Sequence, residues 1–200
     1  TDDRERTNLL RALSADQTWL VQLRVTADSD IDALTAYWGR GGRAQVVRPI
    51  LESLSKVPGG ASLSVGALLP PFVQTRLATY PAPTLDPVER QHDCHWTSMN
   101  FFSAVPDDRF SRNPDVLVEE LKTRYYPVFG NFQLGDVVMF MVGERLFHSA
   151  VYIADDILFT KNGPIPSNPW MFVRVADMMG YYPQPGAIRV VYYRRKDLGS

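Results

Sequence analysis

The sequence predicts an α+β fold, and three observations predict it. The first half carries apolar residues at helical spacing. The second half carries short β-branched and aromatic runs bounded by Gly-Asp, Gly-Glu and Asp-Asp turns. The two patterns follow one another and do not alternate, so an antiparallel sheet with segregated helices is expected, not a βαβ parallel sheet. The 200 residues suffice for one large domain or one domain with a helical extension, and a hydrophobic content of 45% supports a sizeable core.

Residues Asp3 to Leu23 read as a helix, with Leu9, Leu10, Leu13, Trp19, Leu20 and Leu23 as its apolar stripe. Ser29 or Asp30 caps a second helix through Ile31, Leu34 and Trp38, broken by Gly39-Arg40-Gly41-Gly42, which reads as a flexible connection. A third helix spans Arg43 to Val57, with Pro49 expected to kink it or mark its start. Ser62 to Pro83 is rich in both proline and apolar residues. It reads as a segment laid across another surface, with a short helical piece around Val73 to Ala78. Leu85 to Arg90 leads into a helix from Cys94 to about Ser103, and Asn113-Pro114-Asp115 starts another that runs to about Tyr125.

Beyond Gly135-Asp136 the character changes. Val137–Val142, Leu146–Ile153 and Ile157–Asn162 are joined by short turns and predict an antiparallel meander. Met171 to Val175, a helical turn at Asp177 to Gly180 and a last strand at Ile188 to Arg195 complete the chain. The division expected is an N-terminal helical region over 1–85, packed on a catalytic part over 86–198.

Charge is balanced, 21 Lys+Arg against 22 Asp+Glu, which argues against a nucleic-acid or anionic-membrane binder. The run Arg194-Arg195-Lys196 reads as solvated. No apolar run approaches roughly 18 residues, so no membrane span is expected. The chain opens on Thr1 without a cationic, apolar leader. A secreted or periplasmic location with an N-terminal signal removed is the expectation, and a monomer the expected state. The single cysteine excludes an internal disulfide. His92, Cys94 and His95 lie close together, with His148 to join them, but no Cys-x-x-Cys or His-x-x-x-His spacing is present. No metal and no cofactor is expected.

The chemistry gathers on Asp93-Cys94-His95-Trp96 and on His148. With Asp93 as N-cap, Cys94 falls in a first helical turn, where the partial positive charge favours a thiolate; the alternative is a buried structural cysteine. His148 shares a strand face with Ala150 and Tyr152, while Ser149 and Val151 take the other. A lone thiol followed by a strand-borne histidine suits nucleophilic catalysis. The third member that orients the imidazole is expected on the next strand. Asn162 has the better chemistry for it, Thr160 is the alternative on the same face, and Lys161 points the opposite way, solvated or bound to an anionic substrate group. His95 is the poorer partner for Cys94, because its side chain leaves the helix in another direction. Trp96, Tyr152 and Trp170 are candidates to line the cleft.

Three pieces of the second half resemble the NlpC-type papain-like peptidases that act on bacterial cell-wall peptides. Asp93-Cys94 resembles that family's Asp-Cys helix start, Gly135-Asp136-Val137-Val138-Met139-Phe140 its Gly-Asp-Leu-Val-Phe-Phe strand, and His148-Ser149-Ala150-Val151-Tyr152-Ile153 its His-Val-Gly-Ile-Tyr-Ile strand. The resemblance covers about residues 86 to 195. It implies a papain-like domain with the cysteine helix packed on an antiparallel sheet, Cys94 as nucleophile, His148 as base, and hydrolysis of an amide bond in a peptide or peptidoglycan stem peptide. His95-Trp96 stand where the family has Ser-Gly, so the substrate pocket near the thiol is expected to differ from the family's; the expected substrate-binding residues are Asp93, His95, Trp96, Tyr152, Lys161 and Trp170. A catalytically inactive papain-like binding module, and an acyl-transferring or toxin amidase on the same fold, are the alternative readings.

Overall fold

The computed structural model describes residues 2–13, 18–81, 92–111 and 113–198, and these form an α+β arrangement. The expected boundary at 85/86 and the lead-in Leu85 to Arg90 lie outside the described residues. So do Ala82 and Pro83, the last two residues of the segment read as laid across another surface.

The N-terminal part comprises α1 (Asp3–Leu13), β1 (Gln22–Val25), α2 (Ile31–Trp38), α3 (Ala44–Ser55), β2 (Ala61–Ser64) and the short α4 (Pro71–Gln74). It is therefore not wholly helical. The stretch expected to prolong the first helix to Leu23 instead supplies β1, which pairs antiparallel with β2, Gln22 opposite Ser64. Trp19 likewise lies outside any helix, its N–H donating to the Phe172 carbonyl. Asp30 caps α2 by accepting from the Ala33 N–H, as the spacing predicts. Pro49 lies inside α3, past its first turn. Leu68, Leu69, Phe72 and Val73 are buried, so the proline-rich segment does lie across another surface. Its helical piece is shorter and earlier than expected.

The C-terminal part carries α5 (Cys94–Met99), α6 (Pro114–Arg124), β3 (Tyr125–Val128), β4 (Val137–Val142), β5 (Arg145–Ala154), β6 (Ile157–Lys161), β7 (Trp170–Arg174), α7 (Val175–Tyr181) and β8 (Arg189–Arg195). Six strands form one antiparallel sheet in the order β3-β8-β4-β5-β6-β7. The meander β4 to β6 is the predicted one and β7 extends it; β3 is an addition, paired only with β8. The cysteine helix is shorter than expected. Asn100 ends it, its amide donating to the Trp96 and Asp107 carbonyls and accepting from the Asp107 N–H.

Strand alternation gives the sheet two apolar faces. One, with Met139, Val151, Ile153, Phe159, Trp170 and Phe172, packs against α5 and against Val25, Trp38, Val47 and Leu51 of the N-terminal part. The other, with Val138, Phe140, Ala150, Tyr152, Leu158, Met171 and Val173, packs against Met178 of α7. The glycine connection after α2 is packed, not flexible. Gly41 and Gly135, both at positive φ, close on the Phe102 ring, and a Cβ at either would lie 2.4 or 2.2 Å from it. Arg194, read as solvated, forms an ion pair at 2.7 Å with buried Asp136, which also accepts from the Gln133 N–H. That pair ties β8 to the turn that opens β4.

Candidate active site

The site forms where the start of α5 meets β5 and β6. Asp93 is extended, and its carboxylate accepts from the His95 and Trp96 N–H groups at 2.9 and 3.0 Å. The cap fixes Cys94 as the first helical residue. His95 locks the helix onto β5: its Nδ1 lies 2.8 Å from the Ser149 hydroxyl, which lies 2.8 Å from that of Ser98. Trp170 Nε1 donates to Thr97 Oγ1 and adds a second tie, to β7.

Cys94 is 6% exposed. Burial pushes its thiol up to about 12, with the Asp93 carboxylate acting in the same direction; the backbone N–H groups of Ser149, His95 and Cys94 itself oppose them by favouring the thiolate. The thiolate expected from a helix start is thus overruled. A six-residue helix offers a few N–H groups, and full desolvation of the sulfur outweighs them. The effect of the Ser149 N–H places the sulfur on the side of β5 that α5 packs on, the side that carries Ser149. The β5–β6 ladder opens there, Val151 opposite Phe159 being its last registered pair.

His148 is fully buried on the face of β5 opposite α5, its ring 5.8 Å from that of Phe140 and 5.1 Å from that of Tyr182. The expected approach of the cysteine helix to His148 is therefore not what the strand presents: Ser149 faces α5. Its Nε2 lies 2.9 Å from Thr160 Oγ1. The one hydroxyl proton of Thr160 is directed to the Ser149 carbonyl at 3.1 Å, so Thr160 accepts from His148. This network assigns the imidazole as the Nε2–H tautomer, with an unprotonated Nδ1. Nδ1 is buried without a hydrogen-bond partner. Burial, with a contribution from His95, lowers the His148 pKa to about 3, so the ring is neutral. Among the described residues, the Cys94 thiol and His148 Nδ1 form no hydrogen bond with each other.

The remaining candidates separate clearly. Thr160, not Asn162, bonds to His148; Asn162 lies past the end of β6, and its buried amide has no partner at either atom. Lys161 is not solvated. It is fully buried on the α5 face, and its ammonium donates to the Gly163 and Ile165 carbonyls. Burial lowers it to about 8, opposed by Asp93 and Cys94. Tyr152 lies on the face opposite α5, among Phe132 and Tyr192, and does not line the surroundings of Cys94. Trp96 is 1% exposed and packs in the core, while His95 and Asp93 hold the helix start. Trp170 lines a cavity of about 310 Å³. Arg76, on the same cavity wall, has no signal in the sequence, because it reaches the site only through the tertiary packing of α4. Among the described residues, no group of three or more His, Cys, Asp or Glu side chains could hold a metal ion, and no helix is long and apolar enough to cross a membrane.

Comparison of this chain with protein-family models, with curated proteins and with solved structures gives no match.

Proposed function

We propose that the chain is a papain-like cysteine hydrolase that cleaves an amide bond in a peptide. Bacterial cell-wall stem peptides are the substrate class that the sequence resemblance implies. The observation that carries this reading is the polarity of His148: Thr160 holds the proton on Nε2, and Nδ1 is a bare, buried, unpartnered base. The sulfur of Cys94 lies on the other side of the same stretch of β5, beside Ser149.

In this reading Nδ1 takes the thiol proton as the sulfur attacks the substrate carbonyl carbon, which requires the start of β5 to turn the His148 ring from the face it shares with Phe140 and Tyr182 to the α5 face. The Cys94 N–H stabilises the resulting oxyanion. The imidazolium then returns its Nδ1 proton to the leaving amine. A water, deprotonated by the same nitrogen, releases the acyl group from Cys94. Thr160 keeps Nε2–H in place throughout and makes the proton-accepting tautomer the resting one. Lys161, near Asp93 and Cys94, supplies a positive charge on the side where negative charge develops.

The test is turnover of a set of short peptides, stem peptides included, by the wild type and by Cys94→Ala. The expected result is cleavage by the wild type, with a thioester intermediate trapped at Cys94, and none by the variant. Cleavage that survives Cys94→Ala overturns the mechanism. A second reading, a catalytically inactive binding module, is favoured by one observation, the buried and protonated thiol. Under it, both proteins bind peptide equally and neither cleaves.

A further inference from the structure

Arg76 is a half-buried cation set on aromatic faces. Its guanidinium carbon lies 4.1 Å from the ring centroid of Phe72, 5.1 Å from that of Trp96 and 5.8 Å from that of Trp170. One terminal nitrogen, NH1, donates to the Phe72 carbonyl at 3.1 Å and to Thr75 Oγ1 at 3.2 Å. Among the described residues no carboxylate pairs with it, and burial alone shifts its pKa, downward. The Nε–H and the second terminal nitrogen are left, which form the edge of the fork that receives a planar anion in two parallel hydrogen bonds.

This guanidinium borders the cavity of about 310 Å³, whose walls include Thr75, Thr79, Tyr80, His92 and Trp170 but no acidic side chain among the lining residues. The volume is at the small end of the range for ligand sites, enough for one or two amino-acid residues. The wall is pre-formed. Ala78 N–H donates to the Trp170 carbonyl, Trp170 N–H to the Thr79 carbonyl, and Leu77 bridges Trp170, so this segment is strapped to the edge of β7. One wall residue, His92, also lies close to Cys94 along the chain. His92 precedes Cys94 by two residues, which limits their Cα separation to about 7 Å. The His92 ring stacks on Trp96 at 3.6 Å.

We propose that the Arg76 cavity is a carboxylate-binding subsite, which holds the free carboxylate of a short peptide while its scissile amide lies at Cys94. This rests on the hydrolase reading for the identity of the ligand, but its test needs no turnover. The wild-type protein is titrated by calorimetry with N-acetyl-alanine, with its uncharged amide and with inorganic phosphate. The acid is expected to bind saturably, and the amide at least about tenfold more weakly, the scale of one lost charge-assisted hydrogen bond. Arg76→Gln is expected to weaken the acid by at least the same factor. Arg76→Lys keeps the charge without the fork and is expected to weaken it too, so the result stands even if the glutamine variant fails to fold. Equal binding of acid and amide, phosphate bound in preference to the acid, or acid binding unchanged in Arg76→Lys would overturn the proposal. If acid binding follows this pattern but Cys94→Ala retains cleavage, the subsite stands and the hydrolase mechanism falls.

Discussion

Thr160→Val is the sharpest probe of the candidate site, because valine keeps the volume and removes only the hydroxyl. Thr160 Oγ1 accepts from His148 Nε2–H and donates to the Ser149 carbonyl. All three residues are fully buried, so water cannot replace either bond. Orphaning a buried polar group costs about 1–3 kcal/mol. For a chain of this size that lowers Tm by roughly 2–12 °C. The functional effect is separate and larger. Without an acceptor at Nε2, the ring is no longer held in the tautomer that leaves Nδ1 bare, and kcat for peptide cleavage should fall by about 10²–10⁴-fold. Thr160→Ser keeps the hydroxyl and loses one methyl, at about 0.5–1.5 kcal/mol, with the tautomer intact. The assays are thermal unfolding, turnover, and ¹⁵N spectra of the His148 ring. The wild type and Thr160→Ser should show Nε2 protonated and Nδ1 bare. A wild-type ring protonated at Nδ1, or a Thr160→Val ring that keeps both its tautomer and its kcat, would refute the reasoning.

Two further outcomes follow from burial of the same pair. The Cys94 thiol, pushed up to about 12, should react slowly with iodoacetamide at neutral pH, and the rate should still be rising at pH 9; a plateau reached below pH 6 would contradict a protonated resting thiol. His148 is near 3 in the folded chain against about 6.5 when unfolded, so the unfolded state binds the extra proton between those values. The stability that its neutral burial contributes is complete above about pH 6.5 and is lost as pH falls toward 3, by up to about 1.4 kcal/mol per pH unit. Urea unfolding at pH 7, 6, 5 and 4 should show this slope, and His148→Gln should flatten it. An unchanged slope in that variant would remove His148 as its source.

The sequence was most readable where local chemistry and final packing agree. The strands from Val137 to Lys161 combine near-continuous apolar runs with short polar turns, and they sit in the centre of the sheet, buried on both faces. Asp30, Asp93 and Asn113 could be read as caps because a cap is decided within three residues. The misses share a different cause. β1 and β2 are four residues each and exist only because they pair across nearly 40 positions. β3 contains Pro127 and directly follows α6, so it reads as the frayed end of a helix until β8 gives it a partner. Thr160 and Asn162 were indistinguishable by alternation, since both lie on the His148 face. Which of them meets Nε2 is set by the opening of the β5–β6 ladder, and that distance is not written in either residue. Lys161 misled because lysine is rarely fully buried, and its carbonyl partners come from the following loop.

The balance of forces on Cys94 also says what kind of nucleophile it can be. A helix start and three N–H groups pull toward the thiolate, and full burial pulls harder the other way. Burial acts equally on His148, which resists protonation down to about 3. Each group alone therefore rejects charge. In the proposed reaction, charge created on both at once is different once the ring has turned to the sulfur, because groups of opposite sign attract strongly in the low dielectric that penalises each separately. Under the proposed mechanism the proton is transferred as the carbonyl carbon arrives to receive the sulfur electrons, with Thr160 already holding Nε2–H. A site of the proposed kind would have no standing thiolate to lose to small alkylating agents or oxidants, and would react only once a substrate is bound. The two pH experiments and the Arg76 titration thus bear on three features: a thiol kept neutral by burial, a base kept bare by Thr160 on the other face of β5, and a cationic cavity walled by His92, two residues from Cys94.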